Sequence, residues 1–523
     1  MFERVGKVYD EFLMAFAPSR ALHRQQARFA ARTYEAATQN ARLRAPNPYV
    51  NAGTGDVSIA NAGLNLTYQA RYLDENYDIA HGILNDQVNK IVGVGISTKP
   101  IVKFLDGTPA IDINKELKRL HKIWSQYPEN TQELNYGECQ RLACRTWLRD
   151  GEIFVNFLAG NIKGLLHAST IQLTLNYLET DFCPFVNFIV GGKNDSKVVI
   201  KTEKGNSVFH GIEVDVFGRV VAYHFYKTHP NDPFVTAQKT IELIRVPTEN
   251  VAHLFNSKRL NQKRGVTIFH SVINRLRDVK EYDEAESIAA RIAAAMGFQI
   301  VRDPSMANFS IDSTADRQFV IKPGMNFDNL MPGERVETIT ANRPNPQLEP
   351  FRDSQLRAVA AGTNSSFSSI AKNYNRGSYS SQRQESNEQR AATNALREIF
   401  INQHERPIYK AFVQSCIAQR LIQIPSNVDV NTLFDAEFRG PGMERIDAKA
   451  EVAANIAAVE AGFKSRQSVI LENGEDPDEI INQLIEERAN DLQNNLKFST
   501  NLADTQIQPN SNTGIQNEEQ TTN

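Results

Sequence analysis

The sequence has nothing that would carry it across a membrane and very little that would let it do chemistry. No uncharged apolar run in its 523 residues approaches the ~18 needed to span a bilayer. Glu3, Asp10 and Glu11 interrupt the apolar residues of the first turns, which argues against a secretory signal. Cysteine is scarce: Cys139, Cys144, Cys183 and Cys416 include no CxxC pair and form no disulfide framework. The expected state is four reduced, buried thiols in a protein made in the cytosol, with a Cys139–Cys144 metal pair the weaker reading. Net charge is only −3, so no basic excess announces nucleic acid as a tightly held ligand.

Catalytic signatures are missing too. There is no GxxxxGK[ST] phosphate loop; the nearest string, VGGKNDS, lacks the first glycine and the hydroxyl after lysine. HExxH, GxSxG and calcium-loop patterns do not occur. Gly93-Val94-Gly95 is a lone GxG and reads as a helix-ending turn. His224 and His229 stand near a strand end, where packing or a surface position outweighs metal binding. The cluster Glu475, Asp476, Asp478 and Glu479 precedes a helix, where carboxylates favour the helix dipole without any catalytic role. The sequence therefore predicts no catalytic residue, no metal and no cofactor.

What is present is a large chain of ordinary globular composition, 41% hydrophobic and 23% charged, too long for one core. Its charge is uneven. Residues 1–50 hold eight Lys/Arg against four Asp/Glu, and residues 429–491 hold six against fifteen, which fits contacts with different partners, contacts with neighbouring subunits, or simply solvated helix faces. Residues 1–45 read as helical, rich in Ala, Arg and Gln with little apolar periodicity, and 46–66 as a long Gly/Asn/Pro loop. Helical spacing returns at 67–92, at Lys115–Trp124 and at 138–149. From Glu152 to Phe255 the period changes to two, in IFVNFL, IQLTLNYL, VNFIV, KVVIKT and GIEVDVFGRVVAYHFY, predicting a mostly antiparallel sheet region. Gly265 then opens a helix running to about Met296, roughly 45 Å long at ~1.5 Å per residue. Short strands and turns follow over 302–350, and helices at 352–361 and from about Ser380, with a bend or restart at Pro407. In the C-terminal part Asp447, Ser465 and Asp476 are candidate N-caps, Gly462 and Gly474 candidate helix ends, and Pro477 a first-turn proline. After Phe498 almost nothing is left to bury, which predicts a disordered tail. The fold class expected is α+β.

Segments taken in order resemble the lambda-type portal family of tailed bacteriophages. They are Arg71-Tyr72-Leu73 through NYDIAHGILNDQVNKIVGVGI; Asp150-Gly151-Glu152 with the strand after it; and GIEVDVFGRVVAYHFYKTHPND, RVPTENVAHLF and RLNQKRGVTIF. MPGERVE, LRAVAAG, GSYSSQR, RGPGMERIDAKAE and AGFKSRQSVILENGEDPDEII complete the series. Arg376-Gly377-Ser378 and Phe438 depart from the family's usual residues.

The resemblance implies a subunit of a dodecameric ring at one capsid vertex, a virion part assembled in the host cytoplasm, through which DNA is packaged and ejected. Implied partners are further copies of the chain, transiently held double-stranded DNA, terminase, capsid and scaffolding proteins, and head-completion or tail-connector proteins. ATP hydrolysis would belong to terminase. The implied division is an N-terminal arm and loop at 1–66, a wing at 67–264, a stem helix at 265–298, clip or wing strands at 299–350, stem or wing helices at 351–425, a crown-like helical region at 426–496 and a tail at 497–523. Arg275, Arg277 and Lys280 are the candidate channel-facing residues, and Ala289, Ala293 and Met296 the candidate subunit-packing ones. The competing classes are another head or connector protein, which has less use for so long a helix, and a metal-dependent nuclease.

Overall fold

The computed structural model describes residues 55–185, 206–232, 242–295, 298–302, 334–338, 346–374, 378–442, 448–494 and 496. They fall into two units that part after Pro441.

The first unit opens with α1 (Gly55–Asn76) and α2 (Asp78–Ile91). The start of α1 lies inside the stretch expected to be a loop. Ile59, Ala62, Leu66, Ala70 and Leu73 recur at three- and four-residue spacing and are almost fully buried. Their burial outweighs the weak helix propensity of the glycines and asparagines between them. The edge strand β1 (Ser97–Pro100) and helix α3 (Ile111–Trp124) lead to α4 (Tyr136–Asp150). A reciprocal capping box starts α4: Asn135 accepts from the Glu138 amide at 3.0 Å, and Glu138 accepts from the Asn135 amide at 2.9 Å.

The region of period two forms two antiparallel sheets. One is ordered β3–β2–β8, with β2 (Glu152–Ala159) central between β3 (Leu173–Leu178) and β8 (Val251–Phe255). The other runs β4–β5–β6–β7 through Ser207–Phe209, Ile212–Val214, Val220–Tyr226 and Leu243–Pro247. Phe154 of the first sheet packs edge-on against Tyr223 and Phe225 of the second. VNFIV and KVVIKT lie outside the described residues.

The long helix begins later than expected. Thr267 caps a single 3-10 turn (Ile268–Ser271) through the Phe269 amide, and α5 proper runs Ile273–Ala295, about 35 Å at ~1.5 Å per residue. Strands β9 (Phe298–Arg302) and β10 (Glu334–Thr338) pair antiparallel. Then come α6 (Leu348–Thr363), the short α7 (Phe367–Ala371) and α8 (Tyr379–Phe400). Proline at 407 cannot donate to the carbonyl four residues back, and the chain answers with a five-residue π turn at Ile401–Glu405 before α9 (Arg406–Ala418). Strand β11 (Ala436–Arg439) closes the unit by pairing with β1.

The second unit contains α10 (Ala448–Glu460), α11 (Arg466–Glu472) and α12 (Pro477–Asn494). Gly462 and Gly474 end α10 and α11 at positive φ, 76° and 83°. Ser465 caps α11 by accepting from the Ser468 amide at 3.0 Å, and Asp476 accepts from the Asp478 amide at 3.1 Å ahead of α12. Ser465→Ala should cost about 1 kcal/mol of local helix stability. Faster amide exchange across residues 465–472, with the first unit unchanged, is the expected readout. The cap proposed at Asp447 and the tail from 497 lie outside the described residues.

Candidate functional site

The strongest concentration of buried charge lies where the sheet meets the approach to α5, and it is built from the segments that carried the family resemblance. Gly151 ends α4 in the left-handed region, φ 97°, and turns the chain straight into β2. That places Asp150 and Glu152 on either side of one tight corner, both buried.

Glu152 is completely enclosed and faces Arg264, which is enclosed as well. Arg264 Nε donates to Glu152 Oε1 at 2.6 Å, and Thr180 Oγ1 donates to the same oxygen at 2.6 Å. The other oxygen, Oε2, accepts from the Gly265 amide at 2.8 Å and lies 3.2 Å from His253 Nε2. Arg264 spends its remaining donors on the carbonyls of Thr180, Cys183, Pro184 and His210, at 2.8–3.2 Å. Its guanidinium lies 3.7 Å from the centroid of the Phe185 ring. Burial by itself would push the Glu152 carboxyl up. The Arg264 guanidinium and the His253 ring reverse that and hold it far below the usual carboxylate range. Burial likewise pushes His253 down, against the pull of Glu152. The site is thus one carboxylate neutralised by one guanidinium, with every remaining valence filled.

The second carboxylate, Asp150, accepts from Arg71 Nη2 of α1 at 2.7 Å and from Arg149 Nε at 2.7 Å. Arg71 extends to Asp181 and Glu179, and Arg145 and Arg149 continue the chain of charges to Asp74. Helices α1 and α4 and the sheet are tied together through these pairs. Backbone geometry tightens the corner further: a Cβ on Gly265 would run into the Gly151 carbonyl, and one on Gly151 into the backbone of Val266. The two glycines let the chain cross itself where no side chain fits.

This junction launches α5. Ile273, Leu276 and Val279 are buried in the helical core. Arg275 Nη1 donates to Gln355 of α6 at 2.8 Å, the Tyr282 ring lies 4.7 Å from Phe351, and Arg352 pairs with Asp283 at 3.4 Å. Lys280 is half-buried with its ammonium 5.2 Å from the Tyr72 ring, whereas Arg277 is exposed. The three candidate channel residues therefore differ in setting. Beyond Asp283 the helix presents mostly exposed residues, including Ile288 at 48%, and Ala289 is half-buried. Ala293 lies on the same helix, and Met296 is outside the described residues.

All four cysteines are free and buried, and burial pushes the Cys139 thiol up to about 12. Cys144 is raised further by the same cause, so neither is poised as a thiolate ligand. His224 is buried against Glu213, which Arg245 also holds at 2.8 Å. Among the described residues Glu179, Asp181 and His229 bring ligand atoms within 4.8 Å of one another. There Arg71 already supplies the positive charge to both carboxylates. Arg71, the Asp150-Gly151-Glu152 corner and the Arg264 segment stand as separate motifs in the sequence, and nothing in their spacing shows that they meet. The available hint was charge inside apolar strand and helix ends, where it must be paired.

A family model described as phage portal protein, lambda family, matches residues 40–397. The chain belongs to the lambda family of phage portal proteins. It is accordingly a structural protein of the virion, placed at the capsid vertex. Among its relatives, the probable portal protein of Halomonas phage phiHAP-1 is 23% identical over 464 residues, covering 87% of this chain and 86% of that one. Portal protein B of Escherichia phage lambda is 23% identical over 263 residues, 45% of this chain and 49% of its own length. Among solved structures, a chain from the neck of a native gene transfer agent particle overlays with a TM-score of 0.37 at 10% identity, covering 78% of this chain and 94% of that one. Among the described residues no helix is long and apolar enough to cross a membrane.

Proposed function

We propose that the chain assembles as a closed ring, twelvefold as the family resemblance implies, around a channel for double-stranded DNA, with α5 in the stem. The observation that carries this reading is the asymmetry of α5. Its first turns are anchored in the core by Ile273, Leu276 and Val279, while its later turns expose Ile288, Ala285 and Ala290. A helix that one subunit covers only at one end is suited to be covered by its copies, and head-to-tail contacts that close on themselves make a ring. Small residues at Ala289, Ala290 and Ala293 permit close helix approach. In this arrangement Arg277 is the first candidate to face DNA, since Arg275 and Lys280 have partners within the subunit. Near-neutral overall charge suits translocation, because a heavily basic lining would exchange many counterions and hold the duplex fast.

In the same reading the segment at 67–264 forms the wing, 351–425 forms stem or wing helices, the crown-like part is 426–496, and the region around β9 and β10 is clip or wing. Terminase, scaffolding and connector proteins dock on the assembled ring, and the chain itself neither hydrolyses ATP nor cuts DNA. ATPase turnover by purified protein, lost on a point substitution in it, would refute that last part.

Ala289→Trp tests the stem. Overpacking a close contact costs ~1–3 kcal/mol per site, and a ring repeats it at every interface. Rings should be lost in negative-stain images and native mass spectra while circular dichroism shows a folded subunit. Normal rings from this variant would remove α5 from the subunit interface. Arg277→Glu should leave rings intact and lower the DNA retained per particle.

A further inference from the structure

The β5–β6 turn and the loop before α5 meet at a patch that combines exposed apolar side chains with positive charge. Val216, Phe217 and Leu260 are 86%, 81% and 95% exposed. They stand on hydrogen-bonded turns. Asp215 accepts from the Phe217 and Arg219 amides, both at 2.9 Å, and buried Gln262 accepts from the Lys258 and Arg259 amides at 2.9 and 3.1 Å. Lys263 Nζ joins the two turns by donating to the Gly218 carbonyl at 2.7 Å. Around the apolar tips lie Arg219, Lys258, Arg259 and Lys263, against Asp215 and Asp56. The patch thus carries two more positive charges than negative ones. Its occupant should be apolar and acidic.

The chain itself contains such a segment, and it is tethered beside the patch. Gly55 packs against Arg259, where an added Cβ would lie 3.3 Å from the Arg259 Cβ, and Asp56 accepts from the Lys263 amide at 2.7 Å. The residues before Gly55 therefore leave from the rim of the patch. Most of that arm is basic, but Val8–Ala17 (VYDEFLMAFA) carries Asp10 and Glu11, no Lys or Arg, and the apolar residues Tyr9, Phe12, Leu13 and Phe16. The 37 residues from Pro18 to Thr54 link that segment to Gly55, and at the ~1.5 Å per residue of the helix expected for most of them they would span about 55 Å. The covalent link makes the contact intramolecular, so it needs no second molecule.

We propose that residues Val8–Ala17 dock on the patch formed by Val216, Phe217 and Leu260 with their surrounding cations. The arm's basic remainder is then held at the same edge of the first unit. Two kinds of contact hold it: apolar burial on the three exposed tips, and attraction of Asp10 and Glu11 to the net positive charge of the patch.

The test compares the full chain with one lacking residues 1–17. Amide exchange at 215–219 and 257–263 should be at least about fivefold slower in the full chain, and the difference should shrink at high salt. A synthetic peptide of residues 8–17 should restore the protection to the truncated protein, and a peptide carrying D10K and E11K should not. Phe217→Ser with Leu260→Ser, both at exposed positions, should abolish the difference without unfolding the subunit. Equal exchange in the full and truncated chains overturns the proposal. So does protection that grows with protein concentration in both, which would place a second copy on the patch.

Discussion

Arg264→Met should lower the stability of the subunit by about 3–5 kcal/mol, the cost of stranding a buried charge by removing its partner. The loss follows from the surroundings of Arg264 rather than from the strength of one ion pair. Glu152 would keep its burial and lose its counter-charge, and the carbonyls of Cys183, Pro184 and His210 would lose their donor. The double substitution Glu152→Gln with Arg264→Met should recover part of the loss, because no ion is then left in the interior. Equilibrium urea denaturation of the three proteins provides the comparison.

The pH dependence has a defined sign. The Glu152 carboxyl is depressed in the folded protein, so its stabilisation is complete above its unfolded value, ~4.3, and is lost as pH falls from there through the folded value. Without Arg264 burial dominates and raises the same carboxyl, so acid no longer costs the variant this interaction. The gap between wild type and Arg264→Met should therefore narrow below about pH 4. A variant within 1 kcal/mol of wild type at neutral pH would show that water, not burial, surrounds this pair.

Gly151→Ala should be more damaging than any glycine change on the surface. The residue sits at φ 97°, where an L side chain is strained, and its Cβ would be driven into the backbone of Val266 and Thr267. Backbone cannot rotate aside as a side chain does, so the corner between α4 and β2 must open. That separates Asp150 and Glu152 from the charges they serve. The informative control is Gly107→Ala, at φ 84° with nothing within 4 Å of the added carbon. It isolates the conformational cost, roughly 1–2 kcal/mol. Gly151→Ala should exceed that control by several kcal/mol, read as lost soluble yield or a lowered denaturation midpoint. Equal costs would mean that the crossing with Gly265 is looser than the geometry shows.

Local chemistry was legible without any structure. Ser465, Gly462, Gly474 and Asp476-Pro477 punctuate the C-terminal helices as their residue types dictate, because a cap needs only its own neighbours. The alternation from Glu152 to Phe255 announced antiparallel strands, and Pro407 announced the interruption between α8 and α9. The ordered segments from Arg71 onward carried the family, since they record which residues recur rather than why.

Other features needed the packed chain. Helix α1 reaches back to Gly55 because a core elsewhere in the sequence buries Ile59 and Leu66. Thr267 splits a 3-10 turn from α5 at a crossing formed with Gly151, 114 residues before Gly265. Glu152 and Arg264 lie 112 residues apart and have no periodic relation. Periodicity reports which face of one element is apolar, and it is silent on which charges two distant elements bring together. By itself the sequence determined the family, most kinds of element from residue 67 onward, and the caps at Ser465 and Asp476. Only the tertiary structure decided which charges are buried in pairs, because the cost of burying an ion depends on the partner that folding delivers to it.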